Sequence, residues 1–167
     1  MTEHINYICQ KYKKAAWSIN HIKRAGMNNS IIVTVYTSML RPIIEFCSPV
    51  YHSLITEEQS NMLERLQKMT LKIIFGFNIE YEKLLELAGI TSLKERRENA
   101  FIKFTTTIAS NKRYSSWFPM NEDRGLNLRR ENTYKETFAR TERFYNSPLF
   151  NMRRTLNRIE EENNTRR

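Results

Sequence analysis

The chain has 167 residues, 40% of them hydrophobic, and a formal charge of +9 from 27 Lys and Arg against 18 Asp and Glu. That length suits about one domain, and the charge points to an anionic partner, nucleic acid first among the candidates. Cys9 and Cys47 lie far apart and no apolar leader with a cleavage site follows Met1, so neither a disulfide scaffold nor secretion is indicated, and an intracellular location, nucleus or cytoplasm, is expected.

The predicted elements are helices punctuated by caps. From His4 to Ala25, Ile5, Ile8, Tyr12, Ala15, Ile19 and Ile22 recur at three- and four-residue spacing, with Lys11, Lys13 and Lys14 elsewhere and Gly26 as the stop. Asn29 or Ser30 is placed to cap the next helix, which begins "IIVTVYTSML". Its apolar run is broken by Arg41 and Glu45, well short of the roughly 18 uncharged residues a membrane span needs. Pro42 should stop or kink the helix near Arg41, and a short continuation, Ile43 to Cys47, should run up to Pro49.

A sharper start signal follows. Thr56 with Gln59 forms a capping box, and Glu57 and Glu58 suit the positive end of the helix dipole. In the helix after it, Met62, Leu66, Met69, Ile73 and Phe77 form an apolar stripe bordered by Leu63 and Thr70, and Gly76 is the stop. Tyr81 to Ala88 is a short helix closed by Gly89. Ser92 and Glu95 make a second capping box, opening a helix on which Leu93, Phe101, Phe104 and Ile108 are expected to face inward. Beyond Lys112 no period is sustained until Pro148, a good first residue for a last helix. The expected fold is all-α: a compact bundle of five or six helices over residues 1–111, with an irregular basic extension over 112–167. The extension carries 13 Lys and Arg against 8 Asp and Glu, a net +5, which leaves +4 for the bundle.

Catalytic chemistry is sparse. Asp123 is the single aspartate, so the converging carboxylates of two-metal phosphoryl transfer cannot be assembled from Asp. His4, His21 and His52 have no partner at metal-ligand spacing, neither cysteine belongs to a CxxC pair, and no GxSxG elbow or phosphate-cradling glycine loop occurs. No catalytic residue, metal or cofactor is therefore expected. What remains is positive charge. Arg65, Lys68 and Lys72 recur at i, i+3 and i+7 on one helix face, a spacing suited to following a phosphate backbone. The ordinary alternative is a solvated face with Glu64 paired to Lys68. Lys94, Arg96, Arg97 and Lys103 form a second cluster, diluted by Glu95 and Glu98. In the extension, Arg129, Arg130, Arg140 and Arg143 alternate with Tyr134, Phe138, Phe144 and Tyr145, a pattern of single-strand surfaces or of aromatics that dock the segment onto a core.

"YTSMLRPIIEFCSPVYHSL", "MLERLQKMTLKIIFG", "YEKLLELAGITSLKERRENAFIKF" and "RTERFYNSPLFNMRRTLN" follow one another in an order that resembles the C-terminal part, the thumb and the segment after it, of non-LTR retrotransposon reverse transcriptases of the jockey-like or CR1-like group. The departures are small: Tyr51 stands where the family usually has Trp, and Ala88 replaces a common Leu. In that family the catalytic aspartates lie upstream of this segment, and their motifs do not occur here. The resemblance implies a non-catalytic piece of an RNA-directed DNA polymerase that holds template and primer without reading sequence. RNA, DNA or an RNA–DNA hybrid would be bound by Arg65, Lys68 and Lys72 and by Arg96 and Arg97 of the SLxxRR motif. It also implies, as partners, the polymerase core of a related protein and a second copy, through apolar surface that a palm would cover. Two other readings stand beside it: a helical protein–protein module, and a relic reading frame with no cellular role.

Overall fold

A computed structural model describes residues 2–121 and 132–165. These are all-α: in chain order α1 (Thr2–Arg24), α2 (Asn29–Val35), a π-helical turn (Tyr36–Leu40), α3 (Arg41–Glu45), α4 (Ser48–Tyr51), α5 (Glu57–Phe75), α6 (Tyr81–Ala88), α7 (Leu93–Ala109), a 3-10 segment (Lys112–Trp117), α8 (Glu142–Tyr145) and α9 (Pro148–Thr165). Among the described residues the only strand-like pairing is an isolated bridge between Met120 and Tyr134, and no helix is long and apolar enough to cross a membrane.

The chain divides into two units, Met1–Ser48 with Ile55–Glu98, and Pro49–Leu54 with Asn99–Arg167. The boundary therefore falls inside α7, earlier than residue 111. The reason is packing: Phe101, with Ile108 and Ala109, joins Phe118, Met152 and Leu156 in a small core. The C-terminal segment thus has an apolar centre of its own.

In the first unit, α1 and α5 run parallel. Gln59 Nε2 donates to Thr2 Oγ1 (3.2 Å), the Tyr12 and Thr70 hydroxyls meet at 2.5 Å, and Lys23 Nζ donates to the Ile74 carbonyl (2.8 Å), so the contacts advance together along both helices. Gly26 ends α1 at φ 77°, a backbone region that costs a side chain about 1–2 kcal/mol. Asn28, one residue before the expected cap, accepts from the Ser30 N–H (3.1 Å) and starts α2.

Ile32, Tyr36, Leu40 and Ile44 are each at most 1% exposed although they are spaced by four. In an uninterrupted α-helix that row would drift by about 40° per step. The π-helical turn cancels the drift, closing with an i→i+5 bond from the Arg41 N–H to the Tyr36 carbonyl. Pro42, which has no N–H to offer, follows directly, so the expected break is a widened turn just before Arg41. The chain then turns at Phe46–Cys47, with Cys47 at φ 57°, and Pro49 sits in the first turn of α4.

The first capping box forms in full, and Ser92 makes the side-chain half of the second. The Thr56 N–H donates to Gln59 Oε1 (3.1 Å) while Gln59 N–H donates to Thr56 Oγ1 (3.2 Å), and Ser92 Oγ accepts from the Glu95 N–H (3.2 Å). The inward face of α5 differs from the apolar stripe. Ser60, Leu63, Gln67, Thr70, Leu71 and Ile74 are buried, whereas Met69 and Phe77 are 55% and 62% exposed. Three of those buried positions are polar, and each has a hydrogen-bond partner inside the unit: Arg97, Tyr36 and Tyr12 respectively. A hydrogen-bonded polar core is invisible to a hydrophobic periodicity. On α7, likewise, Phe104 is 36% exposed and the buried row is Leu93, Arg97, Phe101 and Thr105.

In the second unit, Asn157 holds the segment before α8. Its Oδ1 accepts from the Tyr134 N–H (2.9 Å), and its Nδ2 donates to the Tyr134 carbonyl (3.1 Å) and to Glu136 (2.8 Å). Phe150 packs against Phe144 and Tyr145, and Tyr134 meets Phe118 edge-on, ring contacts that lie within the extension itself; Phe144 and Tyr145 stay 46% and 43% exposed and Phe138 88% exposed.

Candidate nucleic-acid interface

The cationic row of α5 is set by what α5 buries. At 100° per residue, Arg65, Lys68 and Lys72 lie within about 60° of one another and on the side away from Leu63, Gln67 and Ile74. Arg65 is exposed and Lys68 and Lys72 are half-buried. The rise from Arg65 to Lys72 is about 10 Å, enough to meet about three successive phosphates of a strand.

Glu64 does not neutralise this row. Its carboxylate accepts a short hydrogen bond from the Tyr81 hydroxyl and the N–H groups of Leu93 and Lys94 (3.2 Å each). It thereby caps α7, where the helix dipole favours a negative charge. Lys68 lies over the Tyr81 ring, 5.8 Å from its centre. Among the described residues none of Arg65, Lys68 and Lys72 forms an ion pair.

The second cluster is largely internal. Lys94 is exposed but pairs with Glu57 at 3.3 Å. Arg96 grips Glu45 with Nε and Nη2, and the Arg41 guanidinium lies 3.8 Å from the same carboxylate. The bond to Glu45 raises the Arg96 pKa further. Arg97 corrects the expectation: it is 2% exposed and donates to Ser60 Oγ (2.6 Å). Adjacent helix residues point about 100° apart, and Arg97 falls in the buried row four residues after Leu93. It cannot reach a phosphate in this fold.

Lys103, Arg140 and Arg143, all in the second unit, are exposed. Asp123, Arg129 and Arg130 lie outside the described residues. Among the described residues no group of His, Cys, Asp and Glu could hold a metal ion. A groove of the first unit between α6 and the start of α7 is rimmed by Glu82, Glu86 and Glu95, carboxylates that disfavour phosphate.

No family model, curated protein or solved structure matches the chain.

α1 concentrates charge that the cationic spacings on α5 and α7 do not reveal. This helix carries five Lys and Arg against one Glu, a net +4, while α5 holds three of each. The remainder of residues 1–111 is electrically balanced, so α1 alone accounts for the excess there. The signal was present in the composition but hidden by averaging over the whole bundle.

Proposed function

We propose that the chain is a non-catalytic helical module that binds template and primer nucleic acid without sequence preference, as the thumb region of a retrotransposon reverse transcriptase would. The observation that carries this reading is the row Arg65, Lys68 and Lys72 on the outer side of α5, with the neighbouring carboxylate of Glu64 committed to capping α7. Three like charges at this spacing are mutually unfavourable and gain from an anion laid along them.

The test is fluorescence anisotropy with a labelled RNA–DNA hybrid over a salt series, on the full chain and on a variant carrying Arg65→Glu, Lys68→Glu and Lys72→Glu. Three phosphate contacts give a slope of about −2.7 in log affinity against log salt. Between 50 and 200 mM salt they contribute about 40-fold in affinity. The variant should lose that salt-dependent part. Salt-independent binding, or binding unaffected by the variant, refutes the reading.

A protein-partner module is the second reading, and one observation favours it. Ile31, Met39 and Phe46 are 51%, 66% and 65% exposed and follow one another at eight- and seven-residue spacing. A folded chain that ignores the hybrid and sediments as a dimer would favour this alternative.

A further inference from the structure

The outer face of α1 carries a feature that the α5 row does not. Tyr7, Gln10, Lys14, Trp17, His21 and Arg24 alternate at three- and four-residue spacing and are all exposed, with Tyr7 at 61% and Trp17 at 67%. The opposite face, Ile5, Ile8, Tyr12 and Ile19, is at most 2% exposed. Tyr7 and Trp17 therefore cannot be explained as core residues. They stand in water among Lys11, Lys13, Lys14 and Arg24, on the most positive helix of the first unit.

We propose that this face of α1 is a stacking surface for single-stranded nucleic acid, with Tyr7 and Trp17 taking base faces and Lys14 and Arg24 taking phosphates. The proposal rests on the reading that the chain binds nucleic acid and adds the strand class. Cations alone serve a duplex equally well, but a duplex keeps its base faces stacked inside and offers none to an aromatic ring. Large rings alternating with cations suit a strand whose bases are free. Ten residues separate the two rings, a rise of about 15 Å. That spans about four nucleotides at the 3.4 Å spacing of a stacked strand. The His21 ring meets Trp17 edge-on, with centroids 3.7 Å apart, which restrains the indole in advance of binding. A membrane surface fits less well, because an interfacial helix must insert its apolar face, and that face of α1 is already buried in the bundle.

The test uses the full chain with Trp117→Phe, which leaves Trp17 as the sole tryptophan. Twelve-residue oligo(dT) should quench Trp17 emission with the same midpoint as the anisotropy of the labelled strand, and a twelve-base-pair duplex should leave the emission unchanged. Trp17→Ala, in the otherwise native chain, should weaken oligo(dT) binding about 5- to 150-fold, and Tyr7→Ala should act in the same direction. Duplex anisotropy and the helical circular dichroism should stay as they were. Oligo(dT) binding with unchanged Trp17 emission, or undiminished binding by Trp17→Ala, overturns the proposal and leaves the α5 reading standing. A blue shift with phosphatidylserine vesicles and no response to oligo(dT) overturns it in favour of a lipid surface. Quenching that persists in the Arg65, Lys68 and Lys72 variant supports an α1 site that works independently of the α5 row.

Discussion

Gln67→Leu probes the arrangement that aims the α5 cations outward. Gln67 is fully buried. Its Oε1 accepts from the Tyr36 hydroxyl (2.5 Å), and its Nε2 donates to the Tyr81 hydroxyl (2.8 Å) and the Thr91 carbonyl (3.1 Å). One side chain thus ties α5 to the π-helical turn, to α6 and to the segment before α7. Leucine has a similar volume, so the cavity term is small and the polar losses decide the outcome. The Tyr36 hydroxyl is stranded in a buried site, at about 1–3 kcal/mol, and the partly buried Thr91 carbonyl adds about 1 kcal/mol. Added apolar burial returns about 1 kcal/mol, so a net destabilisation of about 1–3 kcal/mol is expected. Combining it with Tyr36→Phe removes both ends of one bond, so the double variant should cost about 1–2 kcal/mol less than the sum of the singles. Urea unfolding followed by circular dichroism at constant m-value measures all four states of this cycle. A Gln67→Leu variant within about 0.5 kcal/mol of the parent, or strict additivity with Tyr36→Phe, would refute the reasoning.

Two further outcomes are expected. Burial pushes the hydroxyls of Tyr12, Tyr36 and Tyr81 above the ordinary tyrosine range. A folded pKa raised above the unfolded one gives stability that is complete below about pH 10 and is lost as pH rises beyond it, at about 1.4 kcal/mol per tyrosine per pH unit. Urea midpoints should fall between pH 9.5 and 11 (about the tyrosine range), with a shallower fall in Tyr36→Phe, and a flat midpoint would count against the buried hydroxyl network. In the second unit, Asn157→Ala removes three hydrogen bonds from the segment around Tyr134. Hydrogen exchange should accelerate at Tyr134 and its neighbours while α1 and α5 keep their protection; equal acceleration in both units would contradict a local role.

The caps and stops were legible because each is a short-range device. Thr56 with Gln59, Ser92 with Glu95, and the positive-φ stops at Gly26, Gly76 and Gly89 depend on residues a few positions apart. The all-α class follows from the same signals. The Arg65, Lys68 and Lys72 row was equally legible, since helical spacing alone places the three together. Which way each helix rolls was decided elsewhere. On α5 the apolar stripe and the buried face differ because Ser60, Gln67 and Thr70 find partners on Arg97, Tyr36 and Tyr12, residues 37, 31 and 58 positions away. The same distant pairing buries Arg97, commits Arg96 to Glu45 and draws Glu64 away from Lys68 to the start of α7. By itself the sequence determined the starts and stops of the longer helices α1, α5, α6, α7 and α9 to within a few residues, and how much charge they carry, but not the 3-10 segment or α8. Only the tertiary structure decided which of those charges and rings meet water, because burying a polar group costs free energy that a partner brought by the fold offsets.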